Sequence, residues 1–96
     1  MKKSSSLVTR YEPSILPVVL GVEYTIYDLN DLISEIRGRK RDKVEIVDTT
    51  SYVTAKRYTV NLSDFESGLI AHSNGLKGTD KLRYVKKGGM IFQRVD

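Results

Sequence analysis

The chain of 96 residues carries 16 Lys and Arg against 12 Asp and Glu, a formal net charge of +4, with 40% hydrophobic residues, one histidine and no cysteine. A chain this short forms one small domain that buries roughly 60–65% of the surface its unfolded form exposes, which leaves little room for a deep enclosed site. The missing thiols exclude disulfides, thiolate metal sites and cysteine nucleophiles, and fit an intracellular, cytoplasmic protein.

Residues 1 to 14, with Ser4-Ser5-Ser6, Lys2, Lys3 and Pro13, predict a flexible arm ahead of a single domain over 15–96. No apolar stretch follows that could serve as a signal-peptide core. The longest apolar run, Ile15 to Val22, is broken by Pro17 and Gly21 and falls far short of the roughly 18–20 residues of a membrane span, so no membrane partner is expected. From Val18 the pattern alternates, Val22, Tyr24 and Ile26 against Glu23, Thr25 and Tyr27, which predicts a strand over 18–27. Asp28 or Asn30 is then placed to cap a helix over 29–37, whose Leu29, Leu32, Ile33 and Ile36 fall on one stripe. Gly38 is its expected stop, with Arg37, Arg39 and Lys40 complementing the carbonyl end.

Val44, Ile46 and Val47 predict a second strand, and Asp48-Thr49-Thr50-Ser51 a turn into a third over 52–60, the two forming a hairpin. Asn61 is the expected N-cap of a second helix, with Asp64 at N3 and a staple between Val60 and Phe65. Ser63 with Glu66 is a competing capping box. Phe65, Leu69, Ile70 and Ala71 supply the expected apolar face, and Asn74-Gly75 a left-handed stop. Leu82 to Lys87 and Met90 to Val95 flank Gly88-Gly89, a hairpin signal.

The order β-α-β-β-α-β-β predicts an α+β fold, a small antiparallel sheet with two helices on one face, in a split βαβ or ferredoxin-like arrangement. RNA-recognition modules share this order of elements, but their strand-three signature is not matched by Tyr52-Val53-Thr54-Ala55-Lys56-Arg57-Tyr58-Thr59, and no family is assigned.

The residues offer no catalytic constellation, and an enzyme is not expected. His72 sits at the end of the second helix beside Ser73 with no strained nucleophile turn around it. One histidine without cysteine is a poor zinc set. Asp28 and Asp31 lack calcium-loop spacing, and helix capping accounts for both. Gly75-Leu76-Lys77-Gly78-Thr79 leads into a strand rather than opening a helix, so it is no P-loop. No cofactor is expected.

Charge is segregated along the chain. Residues 13 to 36 carry −4 and 44 to 76 carry −2, whereas 37 to 43 and 77 to 96 each carry +4. Such basic blocks are candidate contacts for an anionic partner. In the C-terminal hairpin a two-residue Gly88-Gly89 loop would pair Val85 with Phe92 and Arg83 with Arg94. A three-residue Lys87-Gly88-Gly89 loop would pair Tyr84 with Phe92, flanked by Lys86 and Arg94. Either register joins aromatic rings to cations on one face, a combination that suits single-stranded nucleic acid.

The leading expectation is therefore a non-enzymatic protein that binds nucleic acid, RNA or a single strand. Arg37, Arg39, Lys40, Arg41 and Lys43 would neutralise phosphates, Arg83, Lys86, Lys87 and Arg94 would extend the track, and Tyr58, Tyr84 and Phe92 are the stacking candidates, with Tyr52 and Lys56 beside Tyr58 on the third strand. The alternative is a protein-binding module, a subunit or inhibitor of a larger assembly, working through a sheet edge or the basic surface, homodimerisation included. One continuous phosphate track requires that residues 37–43 and the Arg83 to Arg94 hairpin share a face.

Overall fold

A computed structural model describes residues 14–50 and 53–95. All but the last residue of the expected arm, and Tyr52 at the start of the third expected strand, lie outside the described residues.

The alternating stretch after Pro17 does not run as one strand. Gly21 adopts φ +85, a left-handed conformation that glycine enters without a steric penalty, and it divides the stretch into β1 (Val18–Val19) and β2 (Glu23–Thr25). The amide of Leu20 donates to Val47 O at 2.9 Å and the next amide, that of Gly21, to Tyr84 O at 2.8 Å. These two carbonyls belong to different sheets. One sheet has the order β1-β3-β4, with β3 at Lys43–Asp48 and β4 at Lys56–Asn61; the other has the order β2-β5-β6, with β5 at Lys81–Lys86 and β6 at Met90–Arg94. The class is α+β, as expected, but the strands form two three-stranded sheets rather than one.

The split arrangement is not what the ladders show. β1 pairs in parallel with β3, the strand that follows the first helix, with Val18 opposite Ile46 and Val19 opposite Val47, so no strand lies between them. β3 and β4 form the expected antiparallel hairpin, from Lys43 opposite Asn61 to Asp48 opposite Lys56. β2 and β5 are antiparallel, as are β5 and β6.

Helix α1 spans Ile26–Gly38, three residues earlier than capping by Asp28 would allow. Its N-cap is Thr25: the Thr25 hydroxyl accepts from the Asp28 amide at 3.0 Å, and the Asp28 carboxylate accepts from the Thr25 amide at 3.3 Å. Asp28 is thus the N3 member of a capping box, a pattern in which two residues satisfy each other's free amides. Ile26 N and Tyr27 N donate to Asp80 O and Gly78 O, so the first turn is tied to the loop before β5. Ile26, Leu29, Ile33 and Ile36 form the buried stripe.

The end of α1 also differs from expectation, because Gly38 is its last helical residue and not its stop. Arg41 N donates to Ile36 O at 3.0 Å and Lys40 N to Arg37 O at 2.9 Å. These are the two hydrogen bonds of a Schellman motif, and they place Lys40 at the position that ordinarily takes glycine. Lys40 adopts φ +57 there.

Helix α2 spans Leu62–Ser73 behind Asn61, as expected, and its first amide, Leu62 N, donates to Asp42 O at 2.8 Å. Asn61 makes no side-chain cap bond; its amide group instead accepts from Lys43 Nζ at 2.8 Å and donates to Asp64 at 3.3 Å. The buried face is Leu62, Phe65 and Leu69, while Ile70, expected in the core, is 64% exposed. The residues that repeat every three to four positions from Leu62 face inward, and Ile70 falls outside that stripe.

The β5–β6 hairpin takes the three-residue register, with Lys86 opposite Met90, Val85 opposite Ile91 and Tyr84 opposite Phe92. Gly88 at φ +71 and the bond from Lys87 N to Gly89 O at 2.7 Å close the loop. Tyr84 and Phe92 face inward and meet Phe65 of α2, with ring centroids 5.2 and 5.0 Å from it and 4.8 Å from each other. This aromatic triple, together with Leu29, Ile33 and Ile36 of α1 and Val18, Val44 and Ile46 of the first sheet, makes one core shared by both helices and both sheets. Among the described residues no helix is long and apolar enough to cross a membrane.

Candidate nucleic-acid interface

The fold sorts the expected contact residues into three groups. Four cations are engaged within the protein. Arg37 grips Glu66 through both guanidinium nitrogens, one at 3.0 Å from Oε2, and so joins the end of α1 to α2. The hydrogen bond and charge of Glu66 raise the Arg37 pKa, and the same guanidinium holds the Glu66 carboxyl below its ordinary value. Arg39 bonds Glu35 one turn back at 3.0 Å, and its side chain is only 18% exposed. Arg83 bonds Glu23 across the β2–β5 ladder at 3.0 Å, with Lys81 on the same carboxylate at 4.0 Å. Arg94 donates to the carbonyls of His72 and Asn74 at 3.0 and 2.7 Å, satisfying the end of α2 where a cation is favoured.

The second group is buried. Tyr84 is 5% and Phe92 3% exposed. A base cannot reach the face of a ring already packed on both sides, so these two are core residues in this structure and drop out of the stacking set. Burial pushes the Tyr84 phenol up, with the negative charge of Asp64 adding to it. His72, as a helix-end residue, has its Nδ1 2.8 Å from Gly68 O and is half-buried against Phe92.

The third group remains at the surface. Lys40, Arg41, Lys43, Lys86 and Lys87 are exposed, and Tyr58 is half-buried. Lys40 and Arg41 have no side-chain partner among the described residues. Lys86 Nζ donates to the Tyr58 hydroxyl at 3.1 Å and lies 4.7 Å from the centre of that ring, a cation–π contact that leaves the ammonium at the surface. Lys56 and Lys86 also help to hold Asp48 below its ordinary value, after the stronger contribution of the amide and hydroxyl of Thr50.

The two basic segments approach the same strand from opposite ends. Lys43 reaches Asn61 at the end of β4, and Lys86 reaches Tyr58 nearer its start. Beside Lys43 lies a groove of about 430 Å3, lined also by Thr59, Val60, Asn61, Asp64, Tyr84 and Met90; Lys86 lies outside it. Asn61 and Met90 were not legible as contact residues, because only the strand order brings the end of β4 to the start of β6. A second cleft, of about 440 Å3, lies on the other side of the basic loop, with Ile15, Leu32, Ile36 and Val44 among its lining and Lys40 and Arg41 at its edge. Among the described residues no group of three or more acidic or histidine side chains is placed to hold a metal ion. Compared with known proteins, the chain matches no protein-family model, no curated protein and no solved structure.

Proposed function

We propose that this chain is a small, non-enzymatic nucleic-acid-binding protein that contacts RNA or a single strand through Lys40, Arg41, Lys43, Lys86 and Lys87, with Tyr58, half-buried beneath Lys86, as the remaining ring candidate. The observation that carries this reading is the turn after α1. A lysine held at φ +57, where glycine would sit without strain, presents two adjacent cations that no carboxylate neutralises among the described residues. Backbone strain kept at an exposed charged turn is the pattern of a functional site rather than of a stability device. Arg37, Arg39, Arg83 and Arg94 act instead within the scaffold, Arg37 tying α1 to α2, Arg39 pairing with Glu35 of α1, Arg83 bridging β2 and β5, and Arg94 satisfying the end of α2.

The test is fluorescence anisotropy of labelled ten-nucleotide RNA and DNA over a salt series. Binding at low salt is expected to weaken with a log–log slope of about −0.7 for each phosphate neutralised on a single strand. The pair Lys40→Ala with Arg41→Ala reduces the slope by about 1.4 on the same basis. Absence of any binding at low salt removes the proposal.

The second reading, a module that binds a protein partner, is favoured by the cleft beside the loop. An apolar floor edged by Lys40, Arg41 and Lys43, with Asp42 and Glu45 among them, suits an amphipathic segment carrying excess negative charge. A higher affinity for such a peptide than for oligonucleotides at equal ionic strength would put this reading first.

A further inference from the structure

Along α1 the surface changes sign. Beside the first part of the helix lies a cleft of about 450 Å3, with Leu29 and Leu32 in its floor and Asp28, Asp31 and Glu35 at its rim, and no cation among the described residues lines it. The three carboxylates fall at i, i+3 and i+7, on one stripe of the helix. Glu35 is engaged by Arg39 and Asp28 by the Thr25 amide, whereas Asp31 is exposed with no side-chain partner among the described residues. Beside the end of the helix lies the cleft already described, where Lys40, Arg41 and Lys43 outnumber Asp42 and Glu45. Leu16 and Leu32 line both clefts, so the two are neighbours on one surface, and Leu16 at their junction is 79% exposed. The reversal of sign is short, since the helix rises only about 12 Å between Asp28 and Ile36.

We infer that this surface binds a second copy of the chain with the two α1 helices antiparallel, the turn at Lys40 and Arg41 of each copy set against the acidic cleft of the other and Leu16 of both near the two-fold axis. On this view, which rests on the second reading above, the amphipathic segment with excess negative charge is the stripe of Asp28, Asp31, Leu32 and Glu35 on another molecule. Charge selects this occupant. A uniformly basic or uniformly acidic segment would be attracted by one cleft and repelled by its neighbour, and a chain of phosphates would meet three carboxylates. A surface whose sign reverses about an apolar centre complements itself under a two-fold axis, which pairs residue i with j and j with i. An apolar centre inside a charged rim is also the ordinary anatomy of an interface. The patch is small, so the dimer belongs to the weak class, with a Kd on the order of 10 μM. Lys40 and Arg41 meet carboxylates in the dimer, so phosphates and a second copy exclude each other there.

The test is sedimentation equilibrium of the full chain, over concentrations that bracket this value, on the parent, Asp31→Lys, Arg41→Glu and an equimolar mixture of the two variants. Both side chains are exposed, so both variants keep the circular dichroism spectrum of the parent. The parent is expected to dimerise, and to do so more weakly as salt is raised. Each variant alone sets like charges against each other twice and dimerises about tenfold more weakly or worse. The mixture regains the affinity of the parent, because in the heterodimer the two altered side chains face each other and the two native ones do likewise. A mixture no more dimeric than its components overturns the two-fold contact, and so does a parent that sediments as a monomer throughout. Anisotropy of a labelled peptide of alternating glutamate and leucine pairs separates the two failures. Binding of that peptide by a monomeric parent leaves the second reading standing without the second copy, and no binding removes that reading as well.

Discussion

Replacing Lys40 by glycine separates what the turn after α1 contributes to stability from what it contributes to binding. The Schellman hydrogen bonds are made by backbone donors, Lys40 N to Arg37 O and Arg41 N to Ile36 O, so they survive the substitution. What changes is the clash between Cβ and the backbone at φ +57, which costs an L-residue about 1–2 kcal/mol. Against this, glycine loses more freedom on folding, about 0.5–1 kcal/mol relative to alanine. The net gain for Lys40→Gly is about 0.5–1 kcal/mol, which for a domain of this size raises Tm by roughly 2–8 °C. Lys40→Ala keeps the strained conformation and loses only the charge, so its Tm stays near that of the parent. Both variants lose the same oligonucleotide affinity. Urea and thermal unfolding with anisotropy on the same preparations provide the measurement. A glycine variant that is no more stable than the alanine variant would refute the assignment of strain to this residue, and equal affinity in all three proteins would refute its role in binding.

Other perturbations follow from particular contacts. Phe65→Ala removes the ring against which Tyr84 and Phe92 pack, and is expected to lower stability by about 3–5 kcal/mol in denaturant titration. Gly78→Ala would set a Cβ 2.4 Å from the ring of Tyr27, which is 63% exposed and can swing aside, so a loss of no more than about 0.5 kcal/mol is expected by denaturant titration, and a larger one would mean that the ring is held over the loop. Because Arg37 lowers the Glu66 pKa, that pair contributes stability above the ordinary glutamate range and loses it as pH falls through the depressed folded value. The stability difference between the parent and Glu66→Gln therefore closes on acidification, as acid titrations of both by circular dichroism would show.

The sequence was informative where a decision is local. Asn61 before α2 and the glycine loop of β5–β6 lie where turn chemistry puts them, and β3 pairs with β4 as a hairpin, although β4 begins at Lys56, four residues later than a turn over 48–51 implies. It misled where two local signals competed. Gly38 is the conventional helix stop, yet α1 runs through it because Lys40 two residues on accepts the left-handed role and both Schellman bonds form there. Likewise Asp28 reads as a cap, but Thr25 three residues earlier makes a reciprocal pair with it. Alternation over 18–27 gave no sign that Gly21 would turn one strand into two sheets, since a glycine in a strand pattern is silent about what lies opposite. The contact residues divided for a similar reason. Cation and ring content marked the hairpin, but only its register, fixed by the core demand of Phe65, decided that Tyr84 and Phe92 face inward while Lys86 stays at the surface. Ion pairing across long separations, Arg37 with Glu66 and Arg83 with Glu23, removed cations that looked free along the chain.

The peptide units at Leu20 and Gly21 have a consequence for how the molecule opens. Two neighbouring amides donate into different sheets, so their exchange with solvent deuterium samples two separate ladders from adjacent positions in one chain. Equal protection at both would mean that the sheets come apart only in global unfolding, whereas faster exchange at Gly21 would identify the β2-β5-β6 half as a unit that opens first. A single dipeptide thus serves as an internal gauge of whether this small domain is one cooperative body or two.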